Sequence, residues 1–214
     1  MVSYLRYKTI VFIEHMDELE FEPVFAPLTV NDEVPEDLDF DVFKDGDFSK
    51  MSFGELRGKW VILIFYPKDF TFVCPTELGE MASLYETFKE EGAEIVSVST
   101  DTVEVHKGWH DASPTIAEIT YPMAADPAHV LSDLFGVLIE DEGVTHRGTF
   151  IISPDGIIKT LELNCDAVGR SGKETLRKFK AAKYVSNNPA NVCPASWDDG
   201  GETLIPGVDL VGKI

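Results

Sequence analysis

The chain has 214 residues, 44% of them apolar, and its 38 acidic against 18 basic residues leave a net charge of −20. That length and apolar share suit one buried core with an appended segment, and the acidity argues against nucleic acid and anionic membrane surfaces as partners. Its three cysteines include no Cys-x-x-Cys pair, which fits a reducing compartment better than a secreted disulfide framework.

Residues 1 to 35 read as an N-terminal extension with no assigned chemistry: YKTIVFI has strand character and DEVPEDLDFD is an acidic, proline-punctuated connector. No small-residue cleavage site follows the short apolar patch, and the longest apolar run, Trp60 to Tyr66, is far below the ~20 residues of a membrane span. A cytoplasmic protein is expected. Between Val42 and Trp60 the turn signals Asp45-Gly46 and Arg57-Gly58 predict a hairpin and a short helix. WVILIFY is then a buried strand. After Cys74, the residues Leu78, Met81, Ala82, Tyr85 and Phe88 recur at helical spacing.

The strand AEIVSVS follows (93 to 99), and Asp101 with Glu104 resembles a capping box opening a helix that carries Trp109. Ser113-Pro114 and Asp126-Pro127 are two further helix starts, the second leading into a short helix stopped by Gly136. Residues 149 to 163 form a hairpin around Pro154-Asp155-Gly156. Ser171 and Glu174 cap a last helix whose Leu176, Phe179 and Ala182 face one way. Beyond Val185 the chain is rich in Asn, Pro, Asp and Gly and reads as an extended, mobile arm. Strands alternating with helices, then a hairpin and a final helix, describe a mixed α/β sandwich.

By base rate, a lone cysteine between a strand and a helix is more often an inert buried thiol than a nucleophile. Cys74, however, stands at a helix start with Pro75 at the first helical position, where free backbone N–H groups and the helix dipole favour a thiolate. Ionisation alone explains little. A free thiol is ~3% ionised at neutral pH, so full ionisation gains at most ~30-fold, and reduced basicity returns part of that. Fast chemistry at Cys74 therefore needs charge stabilisation as the bond to sulfur forms. His106 and His110, four apart on a helix, could begin a zinc site, but no third ligand is evident and packed or surface histidines are the expected reading.

Pro67, Thr71 and Cys74 reproduce the Pro-x-x-x-Thr-x-x-Cys signature of peroxiredoxins, and VCPTE continues it as in the typical two-cysteine branch. HRGTF (146 to 150), VGRSGKETLR (168 to 177) and NVCPASW (191 to 197) follow in order, and the closing DLVGKI resembles the bacterial alkyl hydroperoxide reductase peroxidase subunits. The resemblance runs from about Gly58 to Ile214. It implies a thioredoxin-like α/β fold over residues 36–185, a C-terminal arm over 186–214, and reduction of hydrogen peroxide and small alkyl hydroperoxides without metal or cofactor.

By that resemblance Cys74 is the peroxidatic cysteine. Its sulfenic acid is captured by the resolving Cys193 of the other subunit of a dimer, itself expected in a ring of five dimers. Thioredoxin or a flavoprotein disulfide reductase would regenerate the thiols. Thr71, three residues before the nucleophile, can set its hydroxyl beside the sulfur, and Arg147 matches an arginine that reaches thiolate and peroxide. Pro67 would shield the pocket from water. Arg170 and Glu77 match a supporting network, for which a structural ion pair is nearly as good a reading. Cys165 matches no family position and is expected to be a structural, buried cysteine, with a resolving role left open. A redox sensor or a holdase-like oligomer is the alternative function. A disulfide oxidoreductase is disfavoured by the missing Cys-x-x-Cys.

Overall fold

The computed structural model describes residues 26–213. The strand expected at YKTIVFI, and most of the predicted N-terminal extension, lie outside these residues. At its centre is β3 (Trp60–Phe65), every residue of which is buried. An unbroken apolar run is what a strand covered on both faces requires. It pairs in parallel with β4 (Ala93–Ser99), which pairs in parallel with the short β5 (Met123–Ala125), and β3 is antiparallel to β8 (Arg147–Ile152). The hairpins β1 (Asp39–Lys44) with β2 (Asp47–Ser52), and β8 with β9 (Ile158–Asn164), complete a seven-stranded sheet of order β2-β1-β5-β4-β3-β8-β9.

Alternate residues of β3 divide the core. Trp60, Ile62 and Ile64 meet α1 (Cys74–Glu90), α2 (Val103–Ala112) and α4 (Gly172–Asn187) through Leu78, Met81, Tyr85, Phe88, Trp109 and Phe179. Val61, Leu63 and Phe65 meet Leu28, Val34, Phe53, Leu131 and Phe135 on the other face, which α3 (Val130–Leu134) helps to cover. A two-stranded ribbon, β6 (Leu138–Ile139) with β7 (Val144–Thr145), stands apart from the main sheet. This is the thioredoxin-like α/β arrangement that the resemblance implies.

Local differences from expectation have local causes. Asp45 and Gly46 turn the first hairpin with φ of 52° and 88°, but the helix expected after it is a series of turns through Phe53 to Gly58. Thr102, not Asp101, precedes α2, because the Asp101 carboxylate is occupied by the backbone N–H of Asp69 (2.8 Å) and the Ser99 hydroxyl (2.8 Å). The short helix starts three residues later than Asp126-Pro127 predicts, with His129 at the N-cap position, while the Asp126 carboxylate reaches in to accept from the N–H groups of Leu131 and Ser132. Ser171 caps α4 as expected by accepting from the Glu174 N–H. The chain from Leu28 is already part of the domain: Leu28 and Val34 are buried, and Val34 N–H donates to the Gly156 carbonyl.

The arm beyond α4 is docked rather than loose. Trp197 is buried, its ring 5.2 Å from that of Tyr184, and its carbonyl accepts from Arg177 Nη1 at 2.6 Å. Val192 and Leu204 exchange backbone hydrogen bonds, and Thr203 Oγ1 accepts from Asn191 Nδ2 (2.8 Å). An Asn/Pro/Gly-rich composition permits mobility, but one large aromatic ring with a seat on α4 is enough to fix the segment.

Candidate active site

Cys74 is the first residue of α1 and has no solvent-exposed surface. The strand β3 ends at Phe65, so the loop from Tyr66 to Val73 carries the chain from the C-terminal end of this central strand to the start of the helix. Pro67 is buried in that loop. A polar cluster holds the loop from beneath: Asp69 accepts from Tyr66 OH (2.7 Å) and meets His106 Nδ1 (2.7 Å), and His106 Nε2 lies 3.1 Å from the Ala124 carbonyl. Burial, with the Asp69 carboxylate second, raises the Tyr66 pKa well above its ordinary value, so its hydroxyl stays a donor. His106 is thus a packed histidine, and among the described residues no group of three or more His, Cys, Asp or Glu could hold a metal ion.

β8 runs beside β3, with Thr149 opposite Ile64, and this pairing brings Arg147 to the helix start. The Arg147 side chain is buried; its Nη1 donates to Cys74 Sγ at 3.4 Å and to Glu77 Oε2 at 2.7 Å. Glu77 lies three residues along α1 from Cys74, on the same face of the first turn. Its other oxygen accepts from the N–H (2.7 Å) and Nε (2.9 Å) of Arg170, while Arg170 Nη1 reaches the Gly148 carbonyl at 2.7 Å. One buried carboxylate therefore serves two buried guanidinium groups. Burial alone would raise the Glu77 pKa, but the hydrogen bonds and charge of Arg170, joined by Arg147, hold it below its ordinary value. Burial likewise opposes the charge on Arg147, and its bonds to Cys74 and Glu77 overcome that and raise its pKa.

The structure brings together Cys74, Arg147, Glu77 and Arg170, residues from three separate segments, with Pro67 buried in the adjoining loop. Thr71 is half-buried there, its hydroxyl donating to the Lys68 carbonyl at 3.0 Å. Cys193 is not at this cluster but on the docked arm, half-buried, with Sγ 3.9 Å from the Ala181 carbonyl of α4. Burial raises its pKa, partly offset by the Arg177 charge. Cys165 is exposed, contrary to the buried structural cysteine expected: β9 ends at Asn164 and Cys165 begins the loop that follows.

Two features went unread in the sequence. The Asp69–His106 pair spans the loop and α2, and only the packing of α2 over β5 joins them. The second is Asp166, whose carbonyl and carboxylate both accept from Arg147. A loop aspartate beside an exposed cysteine gave no signal of that contact.

Residues 30–161 match the AhpC/TSA family. Alkyl hydroperoxide reductase C of Bacillus subtilis is 53% identical over 172 residues, covering 80% of this chain and 92% of that protein. The protein of the same name from Salmonella typhimurium is 48% identical with the same coverage. Among solved structures, the AhpC of Enterococcus faecalis is 45% identical with a TM-score of 0.75, spanning 77% of this chain and 98% of the other. The reduced 2-Cys peroxiredoxin of Plasmodium vivax is 31% identical with a TM-score of 0.78, over 83% of this chain and 93% of the other. With a buried cysteine at a helix start, an arginine donating to its sulfur, and matches of this extent, the chain belongs to the AhpC/TSA family.

Proposed function

We propose that the chain is an antioxidant thiol peroxidase of the two-cysteine peroxiredoxin type, acting on hydrogen peroxide and small alkyl hydroperoxides. The observation that carries the reading is the 3.4 Å contact from Arg147 Nη1 to the buried sulfur of Cys74. The Cys74 thiolate attacks the terminal peroxide oxygen; the O–O bond breaks and the leaving alkoxide or hydroxide takes a proton, giving alcohol or water and a Cys74 sulfenic acid. Arg147 supplies positive charge and N–H donors where negative charge moves from sulfur to the leaving oxygen, and the excluded water makes that interaction stronger. Pro67 closes the loop side of the pocket, and Thr71 offers its hydroxyl oxygen from the same loop.

Cys193 then attacks the sulfenic sulfur, expelling water and forming a disulfide, which a dithiol reductant reduces. Thioredoxin or a flavoprotein disulfide reductase has the required chemistry. Resolution takes place between subunits of a homodimer, five of which form a ring, in the cytoplasm. The peroxidase domain expected over residues 36–185 begins earlier, since Leu28 and Val34 pack into its core, and residues 186–214 form the resolving arm. No helix among the described residues is long and apolar enough to cross a membrane. Glu77 and Arg170 support Arg147.

The test is consumption of hydrogen peroxide with a thioredoxin system, or with a flavoprotein disulfide reductase, supplied one at a time. Wild type is expected to turn over and Cys74→Ser to be inactive. Turnover retained by Cys74→Ser overturns the reading.

A further inference from the structure

We infer that Asp166 is a positioning residue for Arg147: it fixes the outer edge of the guanidinium so that Nη1 faces the Cys74 sulfur. The inference rests on the peroxidase reading above and adds to it a residue in the loop between β9 and α4. A guanidinium is a planar fork of five N–H donors whose value at a reacting centre depends on orientation. On its inner edge Arg147 is held only through Nη1, by Glu77 Oε2 (2.7 Å) and the sulfur (3.4 Å). Glu77 is a shared anchor, since Arg170 takes its Oε1 twice and reaches Oε2 from Nη2 at 3.1 Å. Contacts at one nitrogen leave the plane free to pivot about that nitrogen.

Asp166 removes this freedom from the opposite edge. Its backbone carbonyl accepts from Nε at 2.7 Å and its Oδ1 accepts from Nη2 at 2.9 Å. Nε and Nη2 are separate from Nη1, so the three points together define the plane. These bonds commit the Nε donor, both Nη1 donors and one Nη2 donor, which leaves the second Nη2 donor for a peroxide oxygen. The same loop places Arg170 on Glu77, so one short segment aligns both guanidinium groups. The Asp166 carboxylate is 68% exposed while the guanidinium it holds is 2% exposed. Water therefore weakens its pull on the Arg147 charge, whereas its hydrogen-bond geometry is retained.

Asp166→Asn keeps the acceptor oxygen without the charge, and Asp166→Ala removes both; the backbone carbonyl bond survives in each. The measurement is the single-turnover rate constant of reduced, full-length protein with hydrogen peroxide, divided by the Cys74 thiolate fraction found from iodoacetamide alkylation against pH. Asp166→Ala should lose on the order of 10-fold in this per-thiolate constant, by analogy with small misplacements of reacting groups, with Asp166→Asn restoring most of it. A merely structural role would lower the melting temperature of both variants and leave the per-thiolate constant unchanged. The inference is overturned if Asp166→Ala keeps the wild-type per-thiolate constant, or if Asp166→Asn falls as far as Asp166→Ala. Failure of wild type itself to react with peroxide would instead remove the peroxidase reading.

Discussion

Glu77 holds two buried cations on one carboxylate, and the consequences of disturbing it can be worked out from charge alone. Glu77→Gln leaves Arg147 and Arg170 without their shared counter-charge in a buried site. Removing one partner of such a pair costs about 3–5 kcal/mol, and urea denaturation should show a loss of that order. The same carboxyl sets a pH dependence. Its folded pKa lies below the ordinary value of 4.5, so its contribution to stability is fully present above that value and is lost as pH falls toward the folded pKa. The urea midpoint should therefore be flat in this contribution down to about pH 5.5 and fall below about pH 4.5, with a shallower fall in Glu77→Gln. Arg147→Ala tests catalysis rather than folding. If the guanidinium only favoured the thiolate, raising pH would restore the variant; on the proposed mechanism, in which it also donates to the peroxide oxygens, a deficit of about 100-fold should persist at any pH. Stopped-flow peroxide kinetics from neutral to alkaline pH decide between these outcomes.

The arm is the element whose behaviour matters most for the second half of the reaction. Cys193 sits against α4 and Cys74 is enclosed at the start of α1, so a disulfide, with its Cα atoms about 4.4–6.8 Å apart, requires one of them to leave its place. Trp197 is the anchor of the arm, through its seat on Tyr184 and its carbonyl bond to Arg177. Trp197→Ala should expose residues 188–213 to limited proteolysis at a rate at least several-fold above wild type, since local opening sets such cleavage, while unfolding of the domain is little changed. On a non-reducing gel, peroxide-treated wild type should run as a disulfide-linked dimer and Cys193→Ser as a monomer. Cys165→Ser should still give the dimer. A band that survives in Cys193→Ser and disappears in Cys165→Ser would reverse the assignment, which the exposure of Cys165 makes a meaningful comparison.

For the whole molecule, among the described residues the sheet ends on β9, whose outer edge beyond Ile158 pairs with no further strand and whose Leu161 and Leu163 are 39% and 48% exposed. An uncovered edge with apolar side chains is a pairing surface. It fits a dimer in which two copies join their sheets. Light scattering of reduced protein at micromolar concentration should give at least a dimer, and Leu161→Lys with Leu163→Lys should shift it toward monomer by at least 10-fold in dissociation constant. Two copies of a chain with net charge −20 repel one another, so association should also strengthen as salt is raised.

What the amino-acid sequence determined by itself was the local and the short-range. The apolar run Trp60 to Tyr66, the 3.6-residue spacing after Cys74, the Asp45-Gly46 turn and the Ser171 cap each depend on neighbours within a few positions, and each formed as the local physics requires. The motif spacing from Pro67 to Cys74 likewise marked the cysteine that stands at the start of α1, because loop and helix start are contiguous. Tertiary structure decided whatever joins distant segments. Asp101 left its predicted cap because Asp69, 32 residues away in the chain, offered a better partner. Trp197 turned a composition suited to mobility into a docked arm, since a buried indole outweighs local chain freedom. The Arg147–Asp166 clamp exists only because β8 and β9 pair and bring the loop after β9 back to the start of β8, a juxtaposition with no sequence periodicity to announce it.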